Sequence, residues 1–230
     1  MIKVILWDVD ATLLNFEKAE EAGIRGCFRE YNLGECTDEM LEVYKKINRG
    51  YWQMMERGEI EKTVLLVKRF EDFLNAYGLD VSAATGINEL YQVLLGDTVV
   101  FYDHALETVQ ALKGKVLQCA VTNGTKVAQD RKLKNSGLEK EFDHIFISEV
   151  VGIEKPNKGF FDAVFAVIGK YAPEEVLIVG DSLTSDIQGG VNAGIKTCWF
   201  NPKGVENTSN LRPDYEIRNI GEVLKLTNLQ

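Results

Sequence analysis

From Ile2 to Trp7 the chain is apolar at nearly every position, and it then turns abruptly acidic at Asp8 and Asp10. A run that is apolar on both faces suits a central parallel strand covered by helices. Similar runs recur at Val116–Val121, His144–Ser148, Val176–Val179 and Lys196–Phe200, with a short sixth at Tyr215–Ile217. Helical patterns lie between them. Ala105–Leu112 is one, and Lys126–Ser136, closed by Gly137, is the next. Lys158–Ile168 spaces Phe161, Val164, Phe165 and Ile168 by threes and fours, and Thr184–Ala193 runs into Gly194. Strand and helix alternating in this way predict an α/β fold, a Rossmann-like doubly wound parallel sheet.

Residues 15–96 break the alternation. They contain almost no strand-like run and read as helices at Glu17–Tyr31, Thr37–Glu56 and Ile60–Tyr77. Val64, Leu65, Val67, Lys68, Phe70, Phe73 and Leu74 suggest an amphipathic stripe in the third. The expected organisation is a catalytic core of residues 1–14 and 97–230, with an all-helical domain of residues 15–96 inserted after the first strand. Asn201–Asp214, polar and holding two prolines, reads as a surface loop. The chain shows no internal repeat and no low-complexity segment.

Composition narrows the function classes. The 230 residues carry a formal net charge of −9. Polyanion binders rely on Lys and Arg to displace counterions, so neither a nucleic acid polymer nor an anionic membrane is an expected partner. A small phosphorylated substrate stays open, because a bound cation reverses the field inside a pocket. The apolar start is too short for a signal peptide and no run reaches the length of a membrane span, which points to a cytoplasmic protein, a monomer or small homo-oligomer. Four cysteines without CxxC spacing or a nearby His argue against a zinc site or a disulfide framework.

The candidate chemistry sits at the strand ends, where open parallel sheets bind ligands. The first strand ends in Asp8-Val9-Asp10-Ala11-Thr12 and the second in Thr122-Asn123-Gly124. Lys155-Pro156 follows the third by a short loop, and the fourth ends in Gly180-Asp181-Ser182-Leu183-Thr184-Ser185-Asp186. Each has an ordinary explanation: turn or N-cap acids at 8, 10 and 181, turn chemistry at 122–124, a solvated loop lysine at 155. All four at successive strand tips point instead to phosphoryl chemistry. A cation would hold the paired acids, Asp8 could attack phosphorus, and Asp10 could donate and then accept a proton.

With these four segments the sequence resembles the haloacid dehalogenase-like hydrolases, and the helical insert resembles their C1-type cap. Tyr44-Lys45-Lys46-Ile47-Asn48, Thr197-Cys198-Trp199-Phe200-Asn201-Pro202 and Tyr215-Glu216-Ile217-Arg218 are similar to the pyrimidine 5′-nucleotidase branch, which acts on nucleoside monophosphates. The resemblance implies a Mg²⁺-dependent phosphomonoesterase. Asp8 is its nucleophile and Asp10 its general acid and base. Mg²⁺ is held by the carboxylates of Asp8 and Asp181 and the backbone carbonyl of Asp10, with Asp186 acting through water. Thr122, Asn123 and Lys155 stabilise the phosphoryl oxygens. Ala11 departs from the Gly, Asp or Glu of many relatives. Asn48, Arg49, Tyr51, Trp52 and Arg57 are candidates for base or sugar contacts, against the ordinary expectation that such aromatics pack inside and arginines face solvent.

Other readings share these residues. A sugar-phosphate phosphatase or a phosphomutase would use the same core, whereas a dehalogenase has no leaving oxygen for Asp10 to protonate. A non-enzymatic phospho-acceptor domain fits poorly, because its acceptor follows an internal strand and its fold has no place for the helical insert.

Overall fold

A computed structural model of the protein describes residues 1–169 and 171–227. β1 (Val4–Trp7) leads into four consecutive helices: α1 (Phe16–Glu30), α2 (Asp38–Glu56), α3 (Lys62–Ala76) and α4 (Ala84–Asp97). The alternating part follows as α5 (Ala105–Leu112), β2 (Leu117–Thr122), α6 (Lys126–Ser136), β3 (His144–Ile147), α7 (Ser148–Val151) and α8 (Lys158–Ile168). It closes with β4 (Val176–Gly180), a π-helical turn (Leu183–Ile187), α9 (Gln188–Ala193), β5 (Lys196–Phe200), β6 (Tyr215–Ile217) and α10 (Val223–Leu226). Among the described residues, no helix is long and apolar enough to cross a membrane.

All pairings in the sheet are parallel, in the order β3-β2-β1-β4-β5-β6. This is the doubly wound, Rossmann-like arrangement. Winding proceeds from β1 to β2 and β3 on one side, then returns to β4 on the other, so the switch point lies at β1, whose carboxyl end is the expected ligand position. Successive strand residues serve opposite faces. Ile5, Trp7, Ala120, Leu177 and Val179 join one apolar cluster with Ala105, Val109 and Leu112 of α5. Val4, Leu6, Cys119, Val121, Val176 and Ile178 join another with Phe160, Phe161 and Val164 of α8. Both faces are covered, so the central strands β1 and β4 have no polar alternation. The indole of Trp7 donates to Gln118 Oε1 at 3.0 Å, and Gln118 Nε2 donates to the Val109 carbonyl at 2.9 Å.

Local chemistry sets the helix ends. Thr37, Thr125 and Asn157 cap α2, α6 and α8 through their side chains. Gly137 and Gly194 close α6 and α9 in the left-handed conformation. The helical pattern expected from Thr184 does not run as one α-helix. Its first turn is the π turn, in which the N–H groups of both Asp186 and Ile187 reach the Ser182 carbonyl at 3.0 and 3.1 Å. Such widened turns recur at functional sites.

The chain forms two compact units, Met1–Phe16 with Val99–Gln230, and Glu17–Thr98. In the first, the chain segments leading out of and back into the sheet zip together, Asn15 N–H donating to the Val100 carbonyl at 2.7 Å. The second is entirely helical among its described residues. The stripe of α3 differs from the expected one: Val64 is exposed, whereas Arg69 is buried with Leu65, Phe70, Phe73 and Leu74. Arg69 is tolerated inside because Asn48 and Asn88 accept from its guanidinium at 2.7 and 3.1 Å, and the rings of Phe70 and Tyr91 each lie 5.1 Å from it. Asn48 also donates to the buried Glu20 at 2.7 Å, so it is an interior residue of this unit. Tyr51 and Trp52 are half-buried, and Arg49 and Arg57 are exposed.

Two glycines give opposite expectations. A Cβ on Gly190 of α9 would lie 2.5 Å from Thr197 Cγ2 and 2.7 Å from Ile178 Cγ2, whereas a Cβ on Gly50 of α2 meets nothing within 4 Å. Gly190→Ala should destabilise by about 1–3 kcal/mol through overpacking. Gly50→Ala should stabilise by about 0.5–1 kcal/mol through helix propensity. Urea unfolding of both variants checks the pair, and equal effects would contradict the packing described.

Candidate active site

The tips of β1, β2 and β4 converge on one lysine. Lys155, only 1% exposed, follows β3 and α7, and its Nζ donates to Asp8 Oδ1 at 2.9 Å, Asp186 Oδ1 at 2.7 Å and the Val121 carbonyl at 2.7 Å. The solvated-loop alternative for this residue is therefore wrong. Asn123 fixes its backbone from both sides, accepting from Lys155 N–H at 2.9 Å and donating to the Lys155 carbonyl at 2.8 Å. The Asn123 amide also approaches Ser185 Oγ at 3.3 Å, so this side chain is spent on holding the lysine loop.

Asp8 is held at both oxygens. Thr12 Oγ1 donates to Oδ2 at 2.9 Å, and the same hydroxyl accepts from Asp181 N–H at 3.1 Å, tying the β1 tip to the β4 tip. Thr12 is fully buried, and sequence reasoning assigned it no role, although its motif contained it. Asp186 Oδ2 accepts from Ser182 N–H at 3.1 Å. Gly180 is obligatory here, because a Cβ would lie 2.2 Å from the Asp186 carboxyl carbon. Thr122 is buried, and its hydroxyl accepts from Gly124 N–H at 3.0 Å. Trp199 Nε1 donates to the Asp181 carbonyl at 2.9 Å, fixing that turn from β5.

One carboxylate oxygen each from Asp8, Asp181 and Asp186 lie within 4.8 Å of one another. Asp8 and Asp186 share the ammonium of Lys155, and with the half-buried Asp181 beside them the cluster carries an excess of negative charge. Burial, followed by the Asp186 and Asp10 charges, overcomes the attraction of Lys155 and raises Asp8 to about 7. Burial and the charges of Asp8 and Asp186 push Asp181 up as well. Burial alone would pull Lys155 down, but Asp186 and Asp8 outweigh it and raise it. An all-oxygen set with surplus negative charge fits a hard divalent cation.

Asp10 is not part of that set. Its carboxylate turns to α6, where Lys132 meets Oδ1 and Gln129 Nε2 donates to Oδ2 at 2.6 Å. Both α6 residues are buried, and neither was anticipated from the sequence. Ala11, beside it, has φ of +63°, a conformation that suits Gly and strains a larger side chain.

Comparison with known proteins agrees with this geometry. Residues 5–200 match the model of the haloacid dehalogenase-like hydrolase family, and the chain belongs to that family. It is 36% identical to the HAD-hydrolase YfnB of Bacillus subtilis over 99% of this chain and 96% of the relative. The pyrimidine 5′-nucleotidases PynA of Streptococcus pneumoniae and YjjG of Escherichia coli are 31% and 30% identical, each over 96% of this chain and over 93% and 96% of their own lengths. The crystal structure of YfnB, which is bound to magnesium and reveals interdomain movement, superposes with a TM-score of 0.92 over 99% of both chains.

Two expectations test the site. With no divalent cation present, Asp8 binds its proton up to about pH 7 in the folded state but only to about 4 when unfolded. The folded state therefore holds more protons between these values, and stability should fall as pH rises from about 4 to about 7. Added MgCl₂ should restore more stability at pH 7 than at pH 5, because protons compete for the ligands. Melting followed by tryptophan fluorescence in EDTA and in MgCl₂ reads both effects, and stability rising through this window in EDTA would contradict the clustering of the three acids. Separately, Ala11→Val should cost about 1–3 kcal/mol by forcing a β-branched residue into the left-handed region, while Ala11→Gly should not.

Proposed function

We propose that the protein is a Mg²⁺-dependent phosphomonoesterase that works through an aspartyl-phosphate on Asp8, with pyrimidine nucleoside 5′-monophosphates as its substrates. The observation that carries this reading is the convergence at the switch point. Asp8 after β1, a buried lysine and two acids after β4 meet at one position, beside the end of β2 that carries Thr122. The substrate class is supported by PynA and YjjG, both named pyrimidine 5′-nucleotidases. The cation is supported by the three-acid cluster and by the magnesium in YfnB.

Asp8, Asp181 and the Asp10 carbonyl would hold the ion, with Asp186 supporting them through water. When bound, the ion neutralises charge between the phosphate and Asp8 and favours the ionised carboxylate. Thr12 and Lys155 fix the plane of the Asp8 carboxylate, whose oxygen attacks phosphorus in line. The bond to the leaving oxygen breaks as Asp10 delivers a proton to it. Asp10 then takes a proton from water, and the resulting hydroxide displaces Asp8 to release inorganic phosphate. Lys155 and the Thr122 hydroxyl, which keeps its proton to donate while accepting from Gly124, meet charge on the phosphoryl oxygens. Asn123 acts through its backbone and through its grip on Lys155. The helical unit, residues 17–98, would serve as the cap that selects the substrate and excludes water.

The test is phosphate release from a panel of phosphomonoesters in Mg²⁺ and in EDTA. UMP, dUMP and dTMP should be hydrolysed in Mg²⁺ alone, and Asp8→Asn should lose at least ~10³-fold in kcat. Release from sugar phosphates only would discard the nucleotidase reading and keep the phosphatase. Near wild-type turnover by Asp8→Asn would overturn the mechanism.

A further inference from the structure

α6 delivers two interior side chains to a single carboxylate. Gln129 and Lys132 stand three residues apart, hence on one face of the helix, and are 0% and 1% exposed. An ammonium so buried is costly unless paired, and Asp10 Oδ1 is its salt-bridge partner, with the Phe16 ring 5.6 Å from Nζ. Gln129 is placed at a visible cost. Its Nε2 reaches Asp10 Oδ2, but its Oε1 is buried with no hydrogen-bond partner. A glutamine serving packing alone would satisfy both ends of its amide. Room for it exists because residue 124 is Gly; a Cβ there would lie 2.2 Å from Nε2.

We propose that Lys132 and Gln129 are positioning residues that aim the Asp10 carboxylate for proton transfer to and from the reacting oxygens. This inference rests on the phosphomonoesterase reading of Asp8 and Asp10. A carboxylate on a strand-end turn rotates about two side-chain bonds, and one donor on each oxygen fixes both its position and its plane. Neither residue belongs to the Asp8, Asp181 and Asp186 cluster, so their contribution runs through Asp10. Misplacing a reacting group by about 1 Å can cost on the order of 10²-fold in rate.

The leaving group supplies a readout that loss of packing would not imitate. An alkyl alkoxide needs its proton as it departs, whereas p-nitrophenolate leaves without one. kcat/KM covers the steps through formation of the phosphoryl-enzyme, so it isolates that first proton transfer. For an alkyl phosphate that the wild-type protein hydrolyses, Lys132→Met should lower kcat/KM by about 10²-fold and Gln129→Leu by about 10-fold. For p-nitrophenyl phosphate both variants should stay within about threefold, because no proton need be delivered to its leaving oxygen. Asp10→Ala should lose more kcat/KM on the alkyl ester than on p-nitrophenyl phosphate, adding Lys132→Met to it should cost nothing more, and Lys132→Arg should recover part of the loss. Equal losses on the two esters, or a full further loss in the Asp10→Ala background, would overturn the inference and leave Lys132 a residue of the fold alone. If Lys132→Met does not fold, Gln129→Leu, which removes no charge, must show the split by itself, and failure to do so is equally decisive. Wild-type protein that hydrolyses neither ester overturns the phosphomonoesterase reading and this inference with it. Active wild-type protein with uniform losses overturns only this inference.

Discussion

The ammonium of Lys155 meets the ends of three strands at once. It comes from the chain beyond β3, yet it bonds to the acid after β1, to a carbonyl of β2 and to the acid after β4. Without it, the buried Asp8 and Asp186 and the half-buried Asp181 would face one another as like charges, an arrangement that a low-dielectric interior penalises. With it, the cluster is still short of positive charge. The same interaction therefore holds the switch point together and leaves it with surplus negative charge, which suits a cation. Asn123 and Gly180 follow from this constraint. The first pins the lysine's backbone, and the second lets Asp186 lie against the end of β4.

The two units are held by different physics. The sheet is clad on both faces by apolar side chains, and its central strands β1 and β4 are buried without alternation. The helical unit instead carries a polar centre, with Glu20, Asn48, Arg69 and Asn88 joined across α1, α2, α3 and α4. Satisfied networks of this kind restrict how helices slide and rotate against each other more than apolar contacts do. The fully buried Tyr44 and Tyr91 pack edge-on against each other in the same interior, ring centroids 5.8 Å apart. Burial accordingly pushes both phenols up from their usual range.

Most of the sheet was legible in the chain, because unbroken apolar runs ending in charge have few other uses, and the four strand-tip segments stood where such runs stopped. Asp8, Lys155, Asp181 and Asp186 lie together at the strand tips, and Thr122 ends the neighbouring β2. What stayed hidden had the wrong surface appearance. Arg69, Lys132 and Gln129 look like solvated positions, since a helix reading as Lys-Val-Ala-Gln-Asp-Arg-Lys-Leu-Lys shows no apolar face on which to place Gln129 and Lys132. Burial of a polar residue depends on a partner far away in sequence, and periodicity carries no record of that partner. Asn123 was found at the site, but its amide serves the lysine loop, a distinction that only the hydrogen bonds reveal.

Five residues after β1 give two carboxylates two environments. Asp8 faces Thr12, Lys155 and the acids after β4, where burial raises its affinity for a proton and a cation would reverse that. Asp10 faces α6 and is gripped by a cation and an amide. Val9 between them is buried in the apolar cluster with α5, so the turn is anchored at its middle and neither acid can drift to the other's side. The left-handed backbone at Ala11 then lets Thr12 return to Asp8. The two acids therefore stand in different surroundings. Here a single tight turn achieves the separation, at the position where the winding of the sheet reverses.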